Sequence, residues 1–341
     1  MTEKYWGLED DGKYHIAPNE YDFINSYKNN WERIMSNTYF PPEKIDMGHK
    51  LRPRLVYWGY LAVNDNINCE ELDLLGKLAV SIELIHKASL LIDDFIDKDL
   101  ARHGKKAFYL EYGIERMIIY SLNLLSKSLD LVNEVFYHKK STLYFSSMKS
   151  IISMLNSMTE GVLQELDLGK ISTHKIKNIQ TIMKLETSEL ISSSLVTGYN
   201  LAGGSESIEL ATLSSIGEKI GFVFQLFNDL EPFAEQIFSH KGNINIDVAR
   251  GRKNYCIALL NEFVNSREKK KIDNLYENEL VNYIFYLLQK YDVLNLVFQE
   301  CEKTFLIVLE EIKQSSFNSK WKEQFISFVC SVYTVSKSRL D

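Results

Sequence analysis

Residues 70–97 read EELDLLGKLAVSIELIHKASLLIDDFID, and the fold class turns on this stretch. Leu75, Leu78, Ile82, Ile85 and Ser89 recur at spacings of three and four, the period of one helix face. From Ala88 to Ile92 the residues are apolar nearly all round, so the helix should be buried there. At about 1.5 Å per residue the stretch makes a rod of roughly 42 Å. It closes on D-D-x-x-D, with Asp93 and Asp97 four apart on one face and Asp94 and Asp97 three apart. Three like charges on adjoining faces repel and weaken the helix end. A hard divalent cation relieves this: Mg²⁺ prefers carboxylate oxygens, keeps several waters and accepts phosphate oxygens. The cluster therefore reads as a magnesium-bridged diphosphate site, or else as an exposed acidic helix end, since short motifs match by chance.

Outward from this helix the helical pattern continues. Further helices are expected at about 114–136, 142–166, 175–199, 206–230, 253–264, 270–289, 293–314 and 319–337, with an earlier one containing Leu51 and Leu55 after the break at Pro41-Pro42. Gly203-Gly204 is a helix stop, and His240 to Ile246 is the best loop candidate. Only 5 prolines and 16 glycines punctuate 341 residues, which argues for long helices and against a many-turned β-protein. Length fits one large helical domain, 1–341, with residues 1–20 as an N-terminal arm. The formal charge of −7 excludes the basic face of a nucleic-acid binder, and Lys269-Lys270-Lys271 beside Glu268 reads as a solvated helix face. Cys69, Cys256, Cys301 and Cys330 form no C-x-x-C pair and match no zinc spacing, so buried thiols in a reducing cytoplasm are expected. The polar, acidic start is no signal peptide, and no run of apolar residues is long enough for a membrane span. Most of the many Tyr and Phe rings should be core, with some available to line an apolar cavity.

The segment from Glu83 to Gly104 resembles the first aspartate-rich region of trans-isoprenyl diphosphate synthases, the polyprenyl synthetase family. Five further elements follow the family's order. Gly48-His-Lys-Leu-Arg52-Pro53 is similar to its G-K-x-x-R-P, and Gln164-Glu-Leu-Asp167-Leu168 to its G-Q-x-x-D-L. Glu186-Thr187 falls at its Lys-Thr, Phe224-Gln225-Leu-Phe-Asn228-Asp229 at its F-Q-x-x-D-D, and Asp247-Val-Ala-Arg-Gly-Arg252 at its D-I-x-x-x-K. The resemblance implies an all-α, isoprenoid-synthase-type bundle of long helices around a deep central cavity, and a homodimer. It implies Mg²⁺ held by Asp93, Asp94 and Asp97 on an allylic prenyl diphosphate, with metal charge neutralising the departing pyrophosphate. By the same resemblance Arg102 binds the allylic diphosphate, Thr187 and Gln225 lie near the reacting centre, and Gln164 and Arg252 contact substrate. Asp167, Asn228, Asp229 and Glu231 fall to a second metal region.

Several positions depart from the family pattern. The family holds its acceptor, isopentenyl diphosphate, with a lysine, two arginines and a Gln or His. Here the lysine position is His49, one arginine is Arg52, the other is His103, and His86 stands at the Gln/His position. Histidines are largely neutral near pH 7, so the pocket carries less fixed charge, with Lys50 a partial substitute. The second region reads Asn228-Asp229-Leu-Glu231-Pro232 rather than D-D-x-x-D; Glu231 or Glu235 would supply the missing oxygen. Its order is also weakly similar to the metal motif N-x-x-x-S-x-x-x-E of terpene synthases. Glu186 replaces a phosphate-facing lysine, unless it holds a metal or pairs with a base. Ala88 and Ser89, one turn before Asp93, are expected to face the cavity that takes the prenyl tail, and their small size leaves room for a farnesyl-length or longer chain. Three functions follow: a prenyltransferase acting with isopentenyl diphosphate or another acceptor, a terpene synthase acting on one prenyl diphosphate, or a non-catalytic subunit of a heteromeric synthase.

Overall fold

The structure is a computed structural model that describes residues 20–36, 39, 45, 48–102, 104–138, 144–238 and 253–340. The arm before residue 20, the loop at 240–246, His103 and Arg252 therefore lie outside the described residues. The described chain is all-α. Its helices are α1 Glu20–Met35, α2 Leu51–Leu61, α3 Cys69–Ile96, α4 Phe108–Tyr112, α5 Ile114–His138, α6 Tyr144–Leu166 and α7 Ile176–Met183. After a π-helical turn, Lys184–Ser188, come α8 Glu189–Leu201, α9 Ser207–Phe238, α10 Tyr255–Leu260, α11 Ser266–Ile272, α12 Glu277–Lys290, α13 Val293–Gln314 and α14 Ser319–Lys337. Two strands of two residues, β1 Ala101–Arg102 and β2 Lys105–Lys106, pair antiparallel with Arg102 opposite Lys105.

The chain forms two compact units. Unit 1 holds Met1–Ile152, Ser193–Ser214 and Ser315–Ser331; unit 2 holds Ser153–Ser192, Ser215–Gln314 and Val332–Asp341. In unit 1, α3 is the central rod, packed against α1, α2 and α5. It begins with a capping box: the Asn68 side chain accepts from Glu71 N at 2.9 Å, and Glu71 accepts from Asn68 N at 3.3 Å. These bonds satisfy two of the amide groups that every helix start leaves without partners. Most of α2 is buried, and Arg54 is buried with it, donating to Glu20 at 2.6 Å and lying over the Phe328 ring at 4.6 Å. Trp58 packs on Phe325 and Phe328, so much of the aromatic content is core, as expected. In unit 2 the core gathers Ile179, Met183, Phe227, Phe233, Cys256 and Ile284 around the short α10.

The helices expected from periodicity all occur, with four differences. The segment 175–199 is α7 and α8 joined by the π-helical turn at Lys184–Ser188. The segment 270–289 is two helices, α11 and α12, broken at Asp273 and Asn274. The α10 helix is shorter than 253–264. And α9 runs on through Pro232 to Phe238. A proline inside a helix removes the hydrogen bond to the carbonyl four residues earlier, here that of Asn228. None of the helices among the described residues is long and apolar enough to cross a membrane.

Candidate active site: two groups of polar residues

In unit 1 the site is built on the last three turns of α3. Burial divides them sharply. Ala88, Leu91 and Asp94 lie on the buried side, whereas His86, Ser89, Asp93 and Asp97 form a half-buried stripe. Ser89, rather than Ala88, therefore shares the open face with Asp93, and its hydroxyl donates to His86 O at 2.9 Å. The helix ends at Asp97, whose N–H reaches Asp93 O at 2.8 Å. The chain then turns through Lys98, at φ 56°, into the β1–β2 ribbon. That turn returns Arg102 to the helix, where its Nε donates to Asp94 Oδ1. Asp94 is 3% exposed, so its charge would be costly there without this partner. A cavity of about 40 Å³ beside it is lined by Lys87, Asp94, Arg102, Lys105 and Lys106.

Two further clusters lie on the same helix. Arg52 Nη1 sits 3.0 Å from His86 Nε2. Burial pulls the Arg52 guanidinium down to about 10, against the pull of Glu83 and Asp93. Burial, with Arg52, Lys87, Arg102 and Lys50 around it, holds His86 well below its usual value, so it is neutral near pH 7 and accepts from Arg52. Lys50 does not stand in for the cation absent at His49. It is buried, adopts a left-handed backbone at φ 49°, and reaches Glu83 at 3.2 Å. Lys87 meets the same carboxylate oxygen at 3.1 Å. Burial pushes Glu83 up, but Lys87, Lys50 and Arg52 outweigh it and hold it below the usual carboxylate range. His49 itself is exposed.

In unit 2 the π-helical turn presents Thr187 to α9. Thr187 Oγ1 donates to Gln225 Oε1 at 3.1 Å, Gln225 Nε2 donates to Asp229 Oδ1 at 2.8 Å, and Tyr255 N donates to Asp229 Oδ2 at 2.7 Å. The chain of bonds requires close helices. A Cβ added at Gly221 would stand 2.6 Å from Ser188 Cα, and one at Gly217 2.5 Å from Ser192 Cα. Burial lifts Asp229 to about 6, opposed by the Tyr255 N–H, Gln225 and Lys253 and reinforced by Glu165. Glu186 faces a base: Lys253 Nζ donates to it and to Glu165 Oε2, the latter at 2.5 Å. Burial would lower Lys253, but Glu165 and Glu186 hold it raised. Asn228 Oδ1 and Glu231 Oε2 each lie 3.5 Å from Arg339 Nη1. Gln164 is half-buried and donates to Glu160 at 3.1 Å, and Asp167 is exposed at the end of α6.

Among the described residues, no three acidic, His or Cys side chains converge as a ready metal cage. The two regions differ in how well they suit a divalent cation. Asp93 and Asp97 offer hard oxygen donors on the half-open stripe, with Asp94 held beside them, which fits Mg²⁺. In unit 2 Asp229 has both oxygens engaged, and Asn228 and Glu231 face a guanidinium, which does not fit.

The sequence profile of polyprenyl synthetases matches residues 43–288. The chain belongs to the polyprenyl synthetase family. Among its relatives, the short chain isoprenyl diphosphate synthase of Methanothermobacter thermautotrophicus is 26% identical over 228 residues, 66% of each chain. The geranylgeranyl diphosphate synthase of Methanosarcina mazei is 27% identical over 185 residues, 54% of each chain. The chain thus spans about half to two thirds of these relatives' lengths. The decaprenyl diphosphate synthase structure from Rhodobacter capsulatus superposes with a TM-score of 0.80 at 16% identity, covering 93% of this chain and 97% of that one. That likeness confirms the all-α fold, and the family match meets the expectation of a polyprenyl synthetase family member.

Sequence reasoning missed Glu83, Lys87, Glu165, Lys253 and Arg339. A lone Lys or Glu carries no motif. The only available signal was reciprocal: Glu186 placed an anion where the family has a cation, which required a base such as Lys253 nearby.

Proposed function

We propose that this polyprenyl synthetase family member is a Mg²⁺-dependent prenyltransferase of isoprenoid biosynthesis, which ionises an allylic prenyl diphosphate and transfers the prenyl group. The observation that carries this reading is the half-open carboxylate stripe of Asp93 and Asp97 at the end of α3, backed by the Asp94–Arg102 pair. Bound there, Mg²⁺ would supply positive charge to the leaving diphosphate. The chain's own residues do the rest. Arg102 fixes Asp94 and brings a guanidinium to the metal-bearing end. Thr187 and Gln225, linked at 3.1 Å, offer a fixed polar edge that orients without adding charge. Ser89 shares the carboxylate stripe and sets the room for the tail. Residues 1–341 act as a single domain in this reading, and Gln164 and Arg252 remain its secondary substrate contacts.

A second reading, a terpene synthase that needs no isopentenyl diphosphate, is favoured by one feature. Lys50 is turned onto Glu83 and His86 is neutral, so the cluster keeps few cations for an acceptor diphosphate. The deciding experiment incubates the protein with Mg²⁺ and geranyl, farnesyl or geranylgeranyl diphosphate, with and without isopentenyl diphosphate. Elongation that requires isopentenyl diphosphate supports the first reading. A hydrocarbon or alcohol formed without it supports the second. Activity only after a second subunit is added supports a non-catalytic role. Asp94→Ala is expected to abolish turnover; full activity in that variant removes the central claim.

A homodimer is part of the proposal. Ile114, Ile118 and Leu122 form an exposed apolar stripe on α5, and Phe145 and Ile152 do the same on α6. Sedimentation that finds only monomer would overturn it. The absence of disulfides among the four cysteines suits the reducing cytoplasm we assign to it.

A further inference from the structure

Three acidic groups of unit 2, Glu165, Glu186 and Glu231, are matched by cations of the chain itself. Arg339 Nη1 lies 3.5 Å from both Asn228 Oδ1 and Glu231 Oε2, and its guanidinium stands 5.5 Å from the Phe224 ring centroid, one turn earlier on α9. Lys253 joins Glu165 and Glu186. Asp229 is spent on Gln225 and the Tyr255 amide, and its main-chain oxygen accepts from Asn254 at 3.0 Å. Pro232 also removes the helical N–H partner of the Asn228 carbonyl. Two features set this apart from a metal site awaiting its ion. The amide of Asn228 is a weaker ligand than a carboxylate, and a guanidinium facing two oxygens repels an incoming divalent cation.

We propose that in unit 2 protein cations do the work of a divalent ion: Arg339 holds Asn228 and Glu231, Lys253 holds Glu165 and Glu186, and this region takes up no metal of its own. Among the described residues, divalent cation then binds only at the Asp93–Asp97 stripe. This rests on the proposed diphosphate chemistry, because the two regions are contrasted as halves of one function. Arg339 acts here as a positioning residue, fixing the Asn228 and Glu231 side chains.

The test uses Mn²⁺ with inorganic pyrophosphate on the full chain. Bound Mn²⁺ per chain is counted from the loss of the free-ion electron paramagnetic resonance signal. Glu231→Gln is expected to bind as many Mn²⁺ ions as the parent protein, with unchanged affinity. Arg339→Gln unmasks Glu231 and is expected to tighten Mn²⁺ uptake about tenfold or add an ion. Arg339→Lys, which keeps a cation and guards against loss of fold, is expected to behave as the parent. Loss of an ion in Glu231→Gln, or unchanged uptake in Arg339→Gln, overturns the inference. Asp93→Asn reports on the proposed function separately: if it leaves Mn²⁺ uptake intact, that reading fails whatever unit 2 does.

Discussion

Replacing Lys253 by methionine removes the cation from a cluster of three ions and leaves its shape nearly unchanged. Its side chain retains 17% of its surface, and those of Glu165 and Glu186 retain 19% and 13%. At 2.5 Å from Glu165, and with an effective dielectric of about 20, Coulomb's law gives roughly 7 kcal/mol of gross attraction. Dehydration of the ions offsets much of this, and removing one partner of a buried pair costs about 3–5 kcal/mol net. The residual exposure places the expected loss toward the lower end, about 3 kcal/mol at pH 7.5. The variant leaves two carboxylates facing one another, so one takes up a proton more readily in the folded state than in the unfolded chain. A carboxyl with a raised folded pKa favours the folded state as pH falls, so the deficit should shrink at pH 5.5. Urea unfolding at both pH values measures it, and adding Glu186→Gln to Lys253→Met should restore much of the loss. A deficit below about 1 kcal/mol at pH 7.5, the range of a solvated surface pair, would refute the reasoning.

Three other outcomes follow from the geometry. His86 is held neutral, with a folded pKa below its unfolded one, so the unfolded chain binds the extra proton and His86 contributes a stability loss as pH falls through about 6.5. Parallel denaturant curves at pH 7.5 and 5.5 should show that part absent in His86→Gln. Gly221→Ala drives a methyl toward Ser188 Cα, so the helices must part; a loss of about 1–3 kcal/mol and a drop in kcat larger than any change in KM are expected, while unaltered kinetics would detach Thr187 from the chemistry. Ser89→Phe should shorten the product in a chain-length assay, whereas Ala88→Phe, at a fully buried position, should chiefly lower the unfolding midpoint. If instead only Ala88→Phe alters chain length in folded protein, the placement of the tail is wrong.

Much of this was legible in the residues, for reasons that differ by element. The α3 helix could be read to within a residue because its apolar period and its terminal aspartates agree. Motif position singles out Thr187 and Gln225, but no sequence feature announces the 3.1 Å bond between them. Periodicity failed where one residue overrides it. The apolar period ended α9 near 230, but packing of Phe233 in the unit 2 core carries the helix onward through Pro232. Ala88 and Ser89 differ by about 100° around the helix, so one is buried and the other half-buried, which composition cannot resolve. Hydrogen-bond partners such as Arg339 and Asn228 lie 111 positions apart, and no local pattern announces them.

The π-helical turn at Lys184–Ser188 has a consequence for how chains of this kind vary in length. Such a turn holds one more residue than an α-turn. Deleting a single residue there would yield an unbroken α-helix with all its main-chain bonds intact, so the local backbone would tolerate the change. The same deletion would turn everything from Glu189 to Leu201 by about 100° relative to the preceding helix and draw it back by about 1.5 Å. Ser192 would then no longer meet Gly217. Insertions and deletions at this point are therefore inexpensive for the helix and disruptive for its neighbours, and a one-residue gap here would mark chains whose Thr187 equivalent has been reassigned.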